Sequence, residues 1–350
     1  MRTQCVGYTT MTRESPSAEA LAVAKSLRAM GRVSIVIPVY NSEHTVGKLV
    51  DAVVERASPS FDELEIVLVN DGSKDRSHDV LFQAAQRHPS VVKYIRLARN
   101  FGEHSAVMCG LHHATGDCAV IMDDDFQNPP DEILPLVRKL GDGYDVVYSH
   151  YEHKQHSLFR NLGSAFNDWV AVRLLRKPRG LYLSSFKALN RFLVDNVIEY
   201  AGPYPYIDGL ILRSTDSIGR QLCRHAPRAA GTSNYRLRTL IRLWLNMSTG
   251  FSIQPLRIAS LLGLTMSATG FALAAFFLLS WSVGGILGSH EIPAGWASLI
   301  ICVTIFAGLQ LSVLGIIGEY VGRVFNTMNR APQFVVRETF GLPRDRRDAR

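Results

Sequence analysis

The order of apolar and helical segments predicts an α/β fold: a mainly parallel sheet with flanking helices, followed by an amphipathic interface helix and two transmembrane helices. Three observations predict it. Short β-branched runs alternate with segments of helical period between Val33 and Ser149. Those runs end in acidic and turn residues, where open α/β sheets bind their ligands. Two long stretches, 258–281 and 296–318, carry no charged residue, and each is long enough to cross a bilayer. The composition agrees, since 350 residues, 47% hydrophobic and a formal charge of +7 suit one ordinary domain with an apolar appendage.

Residues 1–31 hold Pro16, several Ser and Thr and no long apolar run. They read as a mobile N-terminal segment with a short helix over 18–30, not as a secretory signal. The expected domain occupies 32–232. Its strands are VSIVIPVY at 33–40, EIVLVND at 65–71, VVKYIRL at 91–97, CAVIMD at 118–123 and YDVVYS at 144–149. Helical spacing fills the gaps at 42–56, 75–88, 104–114 and 131–140, and several of these segments begin with cap-type residues. Pro38, Tyr40 and Asn41 follow the first strand, with Glu43 just beyond, and Asp71, Gly72 and Ser73 follow the second. An Asp-Gly pair there is a ligand-facing strand end or simply a turn. The third connection offers Arg99, Asn100 and Gly102 ahead of a helix, which suits close backbone approach by a ligand.

The fourth strand runs into Asp123, Asp124, Asp125, Gln127 and Asn128. If the extended conformation persists, Asp123, Asp125 and Gln127 share one face and Asp124 points elsewhere. Hard divalent cations, Mg²⁺ or Mn²⁺, are held by a few such oxygens with positions left for phosphate. The alternative is an acidic turn that caps the next helix. GxGxxG and P-loop patterns are absent, which counts against a dinucleotide dehydrogenase or an ATPase. Cys5, Cys109, Cys118, Cys223 and Cys302 are scattered, and the eleven histidines show no HExxH pattern. Neither a disulfide framework nor a zinc site is suggested, and the thiols fit a reducing cytoplasm.

In the second half, Leu237, Leu240, Ile241, Trp244 and Leu245 recur at helical spacing with arginines between them. Residues 233–257 therefore read as an amphipathic juxtamembrane segment, lying in the interface plane or packed on the domain. The spans are 258–281 and 296–318. The loop 282–295 contains no Lys or Arg, whereas Arg236, Arg238, Arg242, Arg257, Arg323 and Arg330 flank the spans on the other side. The positive-inside rule then puts the domain, both termini and the basic tail 319–350 in the cytoplasm, the loop outside, and the chain in the inner (cytoplasmic) membrane as a multi-pass protein. Gly318 and Gly322 form a small-xxx-small pair suited to helix contact.

VIPVYNSE, VNDGSKDRS, RNFGEHSAVMCGLHHATGD and DDDFQNPPDE resemble, in order and spacing, the catalytic domain of family 2 glycosyltransferases, which has a GT-A fold. NFGEHSAVM and the tail IIGEYVGRVFNTMNRAPQFVV are similar to the polyprenyl-phosphate glycosyltransferases, above all the undecaprenyl-phosphate aminoarabinose transferases. Bactoprenol glucosyltransferases belong to the same group. The resemblance covers roughly 32–337. It implies that Pro38, Tyr40, Glu43 and Asp71 hold the base and ribose, and that Asp123, Asp125 and Gln127 bind metal and diphosphate; Asn100, by its place in the third connection, is read with the nucleotide-binding residues. It also implies that Arg160, Ser164, Arg228, Tyr235 and Arg236 face the acceptor phosphate. Asp208, in PYIDGLIL, orients the acceptor or only starts a turn. Asn234, His150 and Ser185 depart from the family pattern, standing where relatives often carry Lys, Arg and Asp.

The activity implied is inverting transfer from a nucleoside-diphosphate sugar, UDP-sugar favoured, to polyprenyl phosphate. The partners are those two substrates, the membrane and a homo-oligomer such as the tetramers among related enzymes, with no nucleic acid. A polysaccharide synthase would carry QxxRW, but Gln221–His225 reads QLCRH. A non-catalytic nucleotide-sugar-binding membrane protein is at odds with the intact acidic cluster. A flippase or channel is at odds with spans that lack charge.

Overall fold

The chain is described here by a computed structural model over residues 31–151, 177, 178, 180–226, 256–266, 268–270, 272, 279 and 295–342. Its strands are β1 (Arg32–Val39), β2 (Glu63–Asn70), β3 (Val92–Leu97), β4 (Cys118–Ile121), β5 (Val146–His150), β6 (Lys187–Asn190), β7 (Ile218–Leu222) and β8 (Val336–Phe340). Helices α1 (Val46–Ala57), α2 (Ser77–Arg87), α3 (Glu103–His113), α4 (Ile133–Leu140), α5 (Arg191–Ile198), α6 (Ile207–Ser214) and α7 (Trp296–Met328) accompany them. All five expected strands and all four expected helices of the first half form within a few residues of their sequence positions.

Two cores explain why. Along β1 the side chains alternate, with Val33, Ile35, Ile37 and Val39 on one face and Val36 on the other. The first face is covered by α1, α2 and α4. In α1, Val46, Leu49, Val50, Val53 and Ala57 form a buried stripe at helical spacing. The second face is covered by α3, α5 and α6. Helix α3 lies so close to the sheet that a Cβ on Gly110 would meet Val36 Cγ1 at 2.3 Å. Fully burying one such Leu or Val is worth about 1.5–3 kcal/mol, so the two faces outweigh the weak local propensity of any one helix.

The sheet itself differs from the mainly parallel arrangement expected. Its order is β7-β5-β6-β4-β1-β2-β3-β8. The β1–β2, β1–β4, β2–β3 and β5–β7 pairs are parallel, but β6 runs antiparallel between β4 and β5, and β8 runs antiparallel to β3. KALN, IGRQL and VRETF are short and mix charged with apolar residues, so their strand character comes from the partner strands rather than from their own pattern.

Part of the segment expected as a basic tail, 319–350, takes regular structure. The helix that begins at Trp296 runs on to Met328, past the expected span end at 318, and 336–340 then complete the sheet. Arg96 bonds Glu338 at 3.2 Å, the Phe82 and Phe340 rings meet edge to face at 5.2 Å, and Ala98 N–H donates to Val335 O at 2.8 Å. The physical reason is that β3 would otherwise leave an open edge next to the third loop.

Within α7, Ile305–Met328 is long and apolar enough to cross a membrane, with mean hydropathy 1.5 and none of the window buried. It is the one such helix among the described residues. Of the other expected span, residues 258–266, 268–270, 272 and 279 are helical. The rest of it, together with 1–30, nearly all of 233–257, the loop up to 294 and the tail beyond 342, lies outside the described residues.

Candidate active site

The carboxyl ends of β1, β2 and β3 are tied into one surface by their own polar residues. Asn41 adopts φ 55°, a left-handed conformation Asn tolerates; its N–H donates to Ser73 Oγ at 3.1 Å and its Oδ1 accepts from Lys74 N at 2.8 Å. Glu43 accepts from Arg76 N at 2.9 Å while its own N–H donates to Asp75 at 3.1 Å. Asp71, 2% exposed, receives Phe101 N at 2.7 Å and Gly102 N at 2.8 Å on its two oxygens. Gly72 makes this contact possible, since it has φ 64° and a Cβ on it would fall 2.5 Å from the Arg99 carbonyl carbon. Desolvation by burial raises the Asp71 carboxyl above its usual range, opposed by those two amides.

The acidic segment leaves the sheet at Pro38. Met122 N donates to Val36 O at 3.0 Å, the last rung between β1 and β4. Pro38 is the next residue facing β4 and has no N–H, so the ladder stops there without an orphaned donor. β4 ends at Ile121, shorter than the expected 118–123, and Phe126 takes φ 62°. Extended structure therefore does not persist through Asp125, and turns set the side-chain directions instead.

Asp124 faces the first loop, accepting from Ser42 Oγ at 2.5 Å and from Tyr40 N at 3.4 Å. Asp123 accepts from Ser185 Oγ. Asp125, 7% exposed, accepts from Gln127 N at 3.1 Å. Gln127 Nε2 lies 3.4 Å from His225 Nε2, and the His225 ring lies 4.4 Å from that of Tyr151, whose hydroxyl donates to Asn128 Oδ1 at 2.6 Å.

Negative charge accumulates here. Desolvation, with Glu103 and Asp125 adding repulsion, pushes Asp123 up to about 6, although the Ser185 hydroxyl and Lys187 pull it down. Asp124 is likewise pushed up to about 6 by desolvation, against the Ser42 hydrogen bond, with Asp123 and Asp125 contributing. Glu103 is raised by desolvation, lowered by Lys187, and raised again by Asp208 and Asp125. Beneath them is a buried pair: the Lys187 ammonium bonds Asp208 Oδ1, which also accepts from Tyr148 Oη at 2.9 Å. Burial depresses His104 to about 4, so its ring, 5.0 Å edge-on to Tyr206, is neutral.

The fold thus brings together Pro38, Tyr40, Glu43, Asp71, Asn100, Asp123, Asp125 and Gln127 at one end of the sheet, with Asp208 under them. Tyr40 and Asn100 are exposed there, whereas Asp71 spends its oxygens on the third loop. Arg160, Ser164, Arg228, Tyr235 and Arg236 lie outside the described residues. Sequence reasoning missed Lys187 and Glu103; it noted Ser185 only as a departure from the family pattern and His225 only within QLCRH, and assigned neither to the carboxylate cluster. A lone Lys inside the apolar run FKALN was the available signal for the first, because strands seldom bury an ammonium without a partner.

Among the described residues no three His, Cys, Asp or Glu side chains form a metal cage. Two carboxylates and an amide oxygen nevertheless fit a hard cation that shares its coordination with a substrate diphosphate, since Mg²⁺ is commonly held by one or two carboxylates plus phosphate oxygens. The mutual repulsion of Asp123, Asp124 and Asp125 is what such a cation would relieve.

The profile of glycosyl transferase family 2 matches residues 34–198. Undecaprenyl-phosphate 4-deoxy-4-formamido-L-arabinose transferase of Photorhabdus laumondii is 32% identical over 319 residues, covering 90% of this chain and 96% of that protein. The enzyme of the same name from Sodalis glossinidius is 35% identical over 308 residues, covering 87% and 93%. Among solved structures, glucosyl-3-phosphoglycerate synthase of Mycobacterium tuberculosis aligns with TM-score 0.49 and 19% identity over 73% of this chain and 86% of that one.

Proposed function

Because the chain belongs to glycosyl transferase family 2, as a glycosyltransferase of the undecaprenyl-phosphate sugar transferase type, we propose that it transfers a sugar from a UDP-sugar to undecaprenyl phosphate with inversion. The product would be a lipid-linked sugar, used as a donor on the other side of the membrane. The observation that carries this reading is the carboxylate group Asp123–Asp125 at the open ends of β1 and β4, beside the loops that carry Tyr40 and Asn100. The formamido-arabinose sugar named for the relatives is the first donor to try.

In this reading a phosphate oxygen of the lipid attacks the anomeric carbon as the bond from that carbon to the diphosphate breaks, and UDP leaves with the bonding pair. The second pKa of a phosphate monoester is about 6, so the nucleophile is already ionised near neutral pH and needs no strong base. Asp208 accordingly does not serve as a base: Lys187 and Tyr148 share its Oδ1, and its part is to hold Lys187 beneath the carboxylates. Tyr40 offers an exposed ring to the base. Asp71 keeps the third loop, with Asn100, in place through its hydrogen bonds to Phe101 and Gly102. Asp123, Asp125 and Gln127 would hold Mg²⁺ or Mn²⁺, which when bound neutralises charge on the departing diphosphate. Arg160, Ser164, Arg228, Tyr235 and Arg236 are assigned to the acceptor phosphate. Two membrane spans, a cytoplasmic domain and assembly through Gly318 and Gly322 complete the proposal.

Membranes containing the protein, given labelled UDP-sugars and undecaprenyl phosphate, should yield an organic-soluble product with one sugar per lipid and an equal amount of UDP. Long water-soluble glycan formed without the lipid would instead indicate a polymer synthase.

Cation binding should compete with protons. With Asp123 raised from the usual 3.8 to about 6, its folded form holds a proton that the unfolded chain has lost. The cation-free fold therefore loses stability as pH rises through that window, and the loss is complete above about 6. Mn²⁺ should raise the melting temperature more at pH 7.5 than at pH 5, and its apparent affinity, read by electron paramagnetic resonance, should weaken about tenfold per pH unit below 6. An affinity flat across that range would rule out these carboxylates as ligands.

A further inference from the structure

We propose that the segment from Tyr200 to Tyr206 is seated in the headgroup layer of the bilayer and sets the height of the active site above the lipid. The proposal rests on reading α7 as membrane-spanning. Helix α7 has 33 residues, a length of about 50 Å, close to the 40–45 Å of a bilayer with its headgroup layers. Its last turns therefore emerge at headgroup level, and Val321, Val324, Phe325 and Met328 there are all more than half exposed.

Asn326, in the final turn, places its Nδ2 3.5 Å from Tyr204 Oη, so Tyr204 lies at the same level. Tyr204 is 51% exposed, and the run from Tyr200 to Ile207, YAGPYPYI, contains no charge. A tyrosine with an apolar ring and a polar tip is suited to a membrane–water boundary, where one end is dry and the other wet.

The segment is built as a fixed projection. Gln333, just after α7, donates from Nε2 to Tyr200 O, and Pro203 and Pro205 restrict the backbone. The Tyr200 hydroxyl packs over Gly202, where a Cβ would fall at 2.2 Å. The inner end of the segment reaches the chemistry: the Tyr206 ring meets His104, and Asp208, two residues on, bonds Lys187. A phosphate carried at headgroup level would thus approach the carboxylate cluster along this segment without leaving the lipid surface.

The test uses the full chain in phosphatidylethanolamine/phosphatidylglycerol vesicles, with Cys5 and Cys302 replaced by Ser. A nitrobenzoxadiazole probe on Tyr204→Cys should be quenched by headgroup-level nitroxide lipids, whereas one on Gln86→Cys, exposed on α2, should respond only to aqueous iodide. Tyr204→Asp should raise KM for undecaprenyl phosphate about tenfold and leave KM for the nucleotide sugar unchanged, with Tyr204→Trp close to wild type. If the protein resists carbonate extraction but the probe at 204 behaves like the one at 86, the seating is overturned and the spanning reading stands. If carbonate releases the protein, both fall.

Discussion

Asp125→Asn should lower turnover by two orders of magnitude or more while leaving the protein folded and membrane-bound. Asn keeps the Oδ1 that accepts from Gln127 N at 3.1 Å, so the turn survives the exchange. What disappears is one formal charge among the groups assigned to a diphosphate-bound cation. Removing a preorganised electrostatic partner of a transition state typically costs ~10²–10³ in rate. The same change should not destabilise the protein, because the Asp125 charge is one of the causes that raise Asp123 and Asp124. Steady-state assay beside a thermal melt separates the two effects. An undiminished rate in the variant, or full activity of the wild type in excess EDTA, would sink the metal assignment.

Lys187→Met should have the largest effect on stability. Lys187 and Asp208 are 3% and 8% exposed and directly bonded, and breaking such a pair strands one charge, at a cost of roughly 3–5 kcal/mol. For a domain of this size that corresponds to a fall in melting temperature of about 10 °C. Glu103, Asp123 and Asp208 would also lose the cation that each of them feels, so residual activity should be low even well below the melt. The double variant Lys187→Met with Asp208→Leu should lose less than the sum of the single changes. Strict additivity in that cycle would mean that the pair is not coupled.

The linkage between α7 and the sheet gives these predictions a common setting. β8 follows α7 directly and pairs with β3, whose end carries the third loop, and Asp71 grips that loop. In the proposed arrangement, a change at the end of α7 therefore has a short covalent and hydrogen-bonded route to the loop that carries Asn100.

Much of this was determined by the sequence alone. Five strands and four helices follow from hydrophobic period, a local property, and their strict alternation implies parallel strands whose carboxyl ends gather Tyr40, Glu43, Asp71, Asn100, Asp123 and Asp125 at one end of the sheet. The apolar stretch that became α7 was equally legible, because length and lack of charge need no partner to be read. Tertiary structure alone decided the rest. β6 and β8 exist because β4, β5 and β3 offer ladders to segments with no strong pattern of their own. Asp124 was committed to the first loop by its hydrogen bonds to Ser42 and Tyr40, while Asp123 went to Ser185, in a segment where β4 had already ended at Ile121. Lys187 became the counter-charge of the carboxylate cluster only when an antiparallel strand carried it into contact with Asp208, a contact between residues 21 apart in the chain. Pairings of that kind depend on which distant groups are desolvated together, and one-dimensional period carries no record of that.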